Sequence, residues 1–350
     1  MKRTATLFLT GVILLLSGCE SDPSAVSTQA LKQELDQNAS ALNDAVEIIS
    51  STAGFKVLTV SDDSKSVSGD SIYDVYIGLD QVKGIYEYHP LQTTDHFGLS
   101  LIKFFTKTAE NNNMVVKLPL KKVERPRLLR SYSEADTALT NNFMITVSEY
   151  YNNYNGYHDY DYKLASEVAI DGAAAGNLNI KSFVNPETGT DYNSEYVFTD
   201  GYKARYKYLS GDTTVSGFGI LKGDNVLYEE ERLTIKNDTA RFGREHQYTL
   251  TIGNFQIIRK SGLVAPAIYL DGILQTNATV EVIDRESDPE ATVCKKRDIQ
   301  ITFDDGTTTK LSSLIGASVE NIEVLFDSLH SVYFAAYIVD WIAYDIYYGR

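Results

Sequence analysis

From Ser27 to Ser51 apolar residues recur at helical spacing. Leu31, Leu35, Leu42, Ala45 and Ile49 share one stripe, and Asn38 is its single polar member. The pattern predicts an amphipathic helix over 29–53, with Gly54 as its C-terminal stop. A helix packed on the domain is the plainer reading. A self-associating stalk is the alternative, although three heptads with a polar seam position are marginal for an isolated coiled coil. Beyond Gly54 the period changes to two. Phe55–Val60, Ile72–Leu79 and Val82–Tyr88 read as strands. The run 97–106 suits a helix or a buried strand, and Pro119 demotes the alternating run 114–123 to a sheet edge. Asp-Gly pairs at Asp200-Gly201 and Asp271-Gly272, and Asp304-Asp305-Gly306, separate alternating runs and predict three hairpins. From Ser318 the pattern is helical again. Tyr333, Tyr337, Trp341, Tyr344 and Tyr348 form one stripe and Phe334, Ile338, Ile342 and Ile346 another, interrupted only by Asp340 and Asp345. A helix apolar nearly all round is a core helix, so Trp341 is expected to be buried. Too short and too acidic to span a bilayer, it has a lipid- or partner-facing role as its alternative.

These elements add up to an α+β chain: an N-terminal amphipathic helix, a large antiparallel β-sheet (a sandwich or half-barrel) and a C-terminal aromatic-rich core helix. The β-rich body with its C-terminal helix occupies 54–350, with a subdivision point near 150–165.

Residues 1–28 carry a different message. Lys2-Arg3, an apolar run from Leu7 to Leu16 and small residues before a cut site form a secretory signal peptide over 1–18. The run is too short for a transmembrane helix. Its end, Leu16-Ser17-Gly18-Cys19, resembles the lipobox of bacterial lipoproteins. That resemblance implies cleavage before Cys19, acylation of Cys19 and attachment to the bilayer, with 19–28 as a lipidated tether. Ten extended residues reach at most about 33 Å, so the body would sit close to the membrane. Glu20-Ser21-Asp22 is similar to, though less acidic than, the signals of surface-exposed lipoproteins in the Bacteroidetes. An outer-membrane lipoprotein is therefore expected, on the periplasmic face or the cell surface. Asp70-Ser71-Ile72, Asp136-Thr137-Ala138, Asp212-Thr213-Thr214 and Asp238-Thr239-Ala240 resemble the O-glycosylation acceptor of the same phylum.

Composition narrows the partners. The 350 residues hold 47 acids and 32 Lys or Arg, a net charge of −15, and removing 1–18 takes away two more cations and no acid. So acidic a chain is not a nucleic-acid binder, which needs a basic footprint. With 43% hydrophobic residues it has ample core material. Its two cysteines cannot build a disulfide scaffold once Cys19 is acylated, and Cys294, beside Lys295-Lys296-Arg297, reads as a strand residue.

Candidate chemistry is sparse. Residues 149–162 set Tyr150, Tyr151, Tyr154, Tyr157, Tyr160 and Tyr162 among Asn, Asp, Gly and His158. Rigid rings beside hydrogen-bonding neighbours suit adaptable recognition, including sugar rings. Tyr151, Tyr154, Tyr157, Tyr160 and Tyr162 are the candidate ligand-binding residues; the alternative is a wet hairpin whose rings cover a sheet face. The five histidines lack His-Glu-x-x-His spacing, the acids lack a calcium-loop pattern and no Gly-x-Ser-x-Gly elbow is present. No catalytic residue, metal ligand or cofactor is assigned. The first functional reading is a non-enzymatic binding or adhesion lipoprotein with a glycan, protein or lipid ligand. The second is a carrier of an apolar molecule, its sheet wrapped around a helix as in the half-barrels of envelope lipid carriers. A glycan-active enzyme ranks last.

Overall fold

The computed structural model describes residues 24–58, 74–91, 100–124, 129, 134–155, 159–240, 243–262, 265–284, 297–316, 318–329 and 333–349. The expected signal peptide, Cys19, Tyr157 and Cys294 lie outside them. The architecture is mixed α+β, built on one large sheet. Strands β1 (Val75–Gly78), β2 (Gly84–Tyr88), β3 (Phe105–Ala109) and β4 (Met114–Leu118) precede a long meander. It comprises β5 (Phe143–Tyr154), β6 (Tyr160–Ile170), β7 (Ala173–Asn185), β8 (Gly189–Phe198), β9 (Tyr202–Ser210), β10 (Thr213–Lys222), β11 (Asn225–Lys236), β12 (Arg244–Ile252), β13 (Phe255–Lys260), β14 (Ala267–Leu270) and β15 (Ile273–Gln275). The sheet has 15 strands, in the order β15 to β4 and then β2 and β3, with β1 added beside β5. Pairing is antiparallel except between β2 and β4. Strands β16 (Ala278–Asp284), β17 (Arg297–Phe303) and β18 (Thr308–Lys310) form a separate small sheet.

Turn chemistry explains the meander. Asp171-Gly172 and Asp271-Gly272 each join two strands through two residues with φ of 52° and 78°, and of 50° and 79°. Both residues in the left-handed region make a type I′ turn, whose twist matches that of the strands.

Seven α-helices lie among the described residues: α1 (Thr28–Ser51), α2 (Ala53–Leu58), α3 (Leu79–Val82), α4 (Leu120–Val123), α5 (Leu311–Leu314), α6 (Ser318–Ser328) and α7 (Tyr333–Tyr347). Ser27 caps α1 by accepting from the Ala30 amide at 3.2 Å, and Asp304 accepts from the Thr28 hydroxyl. Leu31 and Leu35 pack with Phe255, Ile257, Ile268, Val280 and Ile301, between the sheet's β13–β14 end and the small sheet. Leu42, Ala45, Val46 and Ile49 continue the stripe into the main core. Asn38 keeps its hydrogen bonding by donating to Asn254 Oδ1 at 2.7 Å.

Three local expectations are corrected. Gly54 does not stop α1, which ends at Ser51 with Thr52 as its cap. It opens α2, where a Cβ would lie 2.5 Å from the Ala175 carbonyl oxygen and 2.9 Å from the Tyr196 ring, so close backbone approach demands glycine. Residues 55–58, read as strand, belong to that helix, which buries Leu58. β4 is no edge: it pairs with β5 on one side and β2 on the other. Pro119 stands just past its end as the cap of α4, where a missing N–H costs no ladder bond.

β5 and β6 pair without interruption from Phe143↔Ile170 to Tyr154↔Tyr160 apart from one bulge, and a single hydrophobic cluster spans residues 39–343.

A polarised cleft as the candidate functional site

The register sorts the sheet's inner face into three cross-strand rows. The first runs Leu178, Tyr196, Ala204, Ile220, Tyr228, Ile252, Phe255 and Leu270, all of them buried. The second runs Tyr150, Leu164, Ile180, Ser194, Tyr206, Phe218, Glu230, Leu250, Ile257 and Ile268. The third runs Asn152, Tyr162, Ser182, Tyr192, Tyr208, Ser216, Arg232, Tyr248 and Arg259. Each row lies one full pleat repeat beyond the last, about 7 Å further along the strands. Helices α1 and α2 and, at the β14 end, the small sheet pack against the first row. Beside the second and third rows a cleft opens.

That cleft has a volume of about 1250 Å³ and lies between β9–β13, the small sheet and helices α5 and α6. Its floor is apolar: Phe218, Leu250 and Ile257 from the sheet, Val280, Val282 and Ile299 from the small sheet, Leu311, Ile315, Val319, Ile322 and Phe326 from the helices. Phe326 meets Phe218 edge-on at 5.3 Å yet stays 44% exposed. Val282 is 37% exposed and Tyr248 45%. Large apolar side chains left open inside one concavity distinguish a binding cleft from a packed core.

The polar groups are sorted. At the floor's inner end Tyr228 donates its hydroxyl to Glu230, and burial, with Glu230 and Glu323 nearby, raises the tyrosine's pKa well above its usual value. Asp298 accepts from the Ser312 hydroxyl at 2.5 Å and from the Ser312 amide at 3.2 Å. Toward the mouth stand Arg232, Arg259 and Arg297 with Tyr248 and His246. The Arg232 guanidinium sits 5.4 Å from the centre of the Tyr248 ring.

On the opposite face of the same strands charges are matched. Arg205 donates to Glu229 at 3.2 Å and Lys207 to Glu231 at 2.6 Å, from β9 to β11 across β10. The intervening residues are Gly217 and Gly219, and a Cβ on Gly217 would fall 2.9 Å from the Lys207 chain. Gly-Phe-Gly thus clears the outer face for an ionic ladder and turns Phe218 into the cleft.

The tyrosine segment is divided by the pleat. Tyr154, Tyr160 and Tyr162 lie on the inner face, with ring pairs at 6.1 Å (Tyr154–Tyr160) and 5.9 Å (Tyr160–Tyr162). Tyr162 is buried under α7 and donates to Asp340 at 3.2 Å; Tyr150 donates to the same carboxylate at 2.9 Å. Tyr151 faces outward, 5.5 Å from the ring of Tyr76, which is 56% exposed. Asp340 and Asp345, which break the apolar stripes of α7, pin the helix. Burial raises the Asp340 pKa to about 7, while the buried Asp345 accepts from the Ile102 amide at 3.0 Å. Trp341 corrects its expectation: it is only partly buried, packed at the rim of the core against Tyr337 at 5.8 Å.

The cleft arginines escaped sequence reading. Tyr228, Glu230 and Arg232 alternate with Glu229 and Glu231, so both faces of β11 look charged and neither declares itself the inner one. Among the described residues no group of three or more His, Cys, Asp or Glu is placed to hold a metal, and no helix is long and apolar enough to cross a membrane. Comparison with protein-family models, with curated proteins and with solved structures finds no match to this chain.

Proposed function

We propose that this protein is an envelope lipoprotein, anchored through acylated Cys19 in the outer membrane, which takes an apolar or amphiphilic molecule into the cleft under β9–β13. One observation carries the reading: a cleft of about 1250 Å³ with an apolar floor, flanked by half-exposed Phe326, Val282 and Tyr248. Its size is at or above the upper end for small-molecule sites, which suits a ligand with a lipid-like tail. In this reading the sheet and the helices on its inner face act as a half-barrel, and the short tether holds the cleft near the bilayer that supplies or receives the ligand. The cleft favours the carrier over adhesion.

The test is titration of the full chain with a neutral fluorescent apolar probe. The wild type is expected to bind with micromolar affinity. Phe326→Ser with Val282→Asp is expected to weaken binding at least about tenfold and leave the melting temperature within a few degrees, because both side chains are partly exposed. Equal binding by wild type and variant would place the probe elsewhere and reject the cleft.

A second reading has its own observation. On the outer face the Tyr76–Tyr151 ring pair stands beside Asn153 and Asp161, an arrangement that suits a sugar ring. Tyr76→Ser with Tyr151→Ser would abolish glycan binding if that face is used, without touching the cleft.

A further inference from the structure

We infer that the ligand of the cleft carries an oxyanionic head, a carboxylate or a phosphate, held at the mouth by Arg232 and Arg259 across the Tyr248 ring, with Arg297 on the facing wall. The inference rests on the cleft being a ligand site and adds the chemistry of the ligand's polar end.

Register places the head. Arg232, Tyr248 and Arg259 are directly opposed on β11, β12 and β13, so all three rise from the same face. Two ladder steps of roughly 4.8 Å separate the arginine backbones, a gap that two long side chains can close on one oxyanion. The Tyr248 ring already supports the Arg232 guanidinium at 5.4 Å. Arg297 begins β17 and lines the cleft from the small sheet.

Pairing gives the sign. The chain has far more acids than bases, and several cations elsewhere on this sheet pair with them: Arg205 with Glu229, Lys207 with Glu231, Lys163 with Glu149, Lys117 with Glu87. Arg232, Arg259 and Arg297 make no ion pair with any described residue, although Glu230 is two positions from Arg232 on the same face. Glu230 is engaged by the Tyr228 hydroxyl, on the side away from Arg232, and Asp298 by Ser312. Two of the cleft's acids, Glu230 and Asp298, are thus bonded to hydroxyls and a third, Glu231, to Lys207, while the three arginines stand exposed at the mouth. A tail-inward, head-outward amphiphile with an anionic head matches that polarity, and guanidinium forks match the geometry of carboxylate and phosphate oxygens.

The experiment compares two probes with one tail: cis-parinaric acid and its methyl ester, titrated into the full chain at low and moderate salt. The wild type is expected to favour the acid at least about tenfold, with the preference shrinking as salt rises. Arg232→Gln with Arg259→Gln is expected to erase the preference and leave ester binding unchanged; Arg244→Gln, outside the cleft, is expected to keep it. Displacement by oleate or by a monoacyl phosphate identifies which oxyanion binds better, and displacement by either supports the inference. Equal binding of acid and ester to the wild type, or a preference that survives the double variant, overturns the anionic head while the cleft stands. If neither probe binds the wild type, the cleft reading fails and takes this inference with it.

Discussion

At the scale of single residues the polar groups inside the fold are the most exacting. Asp340 accepts two tyrosine hydroxyls beneath α7, and its pKa is raised to about 7 by burial. A carboxyl with a folded pKa above its unfolded value near 4 favours the folded state at low pH. That contribution is lost as pH rises from about 4 to 7 and is constant beyond. Asp340→Asn cannot ionise and still offers an acceptor to one tyrosine. The melting temperature of the variant minus that of the wild type should therefore climb between pH 4 and 7 and then level off; a difference flat in pH would sink the assignment. The Lys122–Asp136 pair, 2.8 Å apart and buried on both sides, is the second such site. Asp136→Ala leaves a buried ammonium without its carboxylate and should cost about 3–5 kcal/mol in urea unfolding. Lys122→Met with Asp136→Leu should recover most of that loss, because no charge is then stranded. Asp340 and Asp345 are visible in the sequence only as flaws in two apolar stripes. Their partners come from residues more than 150 positions away, and no local pattern points to them.

At the scale of elements, alternation and turn residues announce most of the meander. The Asp-Gly hairpins are legible because glycine and aspartate tolerate the left-handed backbone that such turns require. Contacts between elements are less legible. Gly54 looks like a helix stop, since glycine commonly ends helices, but its position is set by the β7 backbone pressing against α2. Gly54→Ala should cost about 1–3 kcal/mol by forcing that contact apart. Gly78→Ala, with nothing within 4 Å of the added Cβ, should change stability by a few tenths at most. Thermal melts of the two variants check the contrast, and equal effects would mean that helix propensity, not packing, governs Gly54. β4 teaches the same lesson: Pro119 marks a strand end correctly, yet says nothing about how many neighbours the strand acquires.

At the scale of the whole molecule the N-terminal helix and the cleft share side chains. Leu31 and Leu35 of α1 pack against Ile257 and Val280, which also line the cleft. Through these contacts α1 packs directly against the cleft wall. Cys19→Ala should release the protein from the membrane fraction and abolish labelling by a palmitate analogue. The soluble variant should bind the neutral apolar probe as the wild type does, because the cleft is made by residues after 205. Retention in the membrane with undiminished labelling would rule out acylation at this cysteine.

Local pattern determined most of the elements: helix from a 3.6-residue period, strands from a period of two, and hairpins from residues that accept positive φ. These are properties of neighbours in the chain, so a linear reading reaches them. Only the tertiary structure decided which face of β11 turns inward, how far helices cover the sheet and where three arginines meet an apolar floor. Strand register and helix cover depend on contacts across up to 276 residues, and a strand charged on both faces carries no mark of which side will be enclosed.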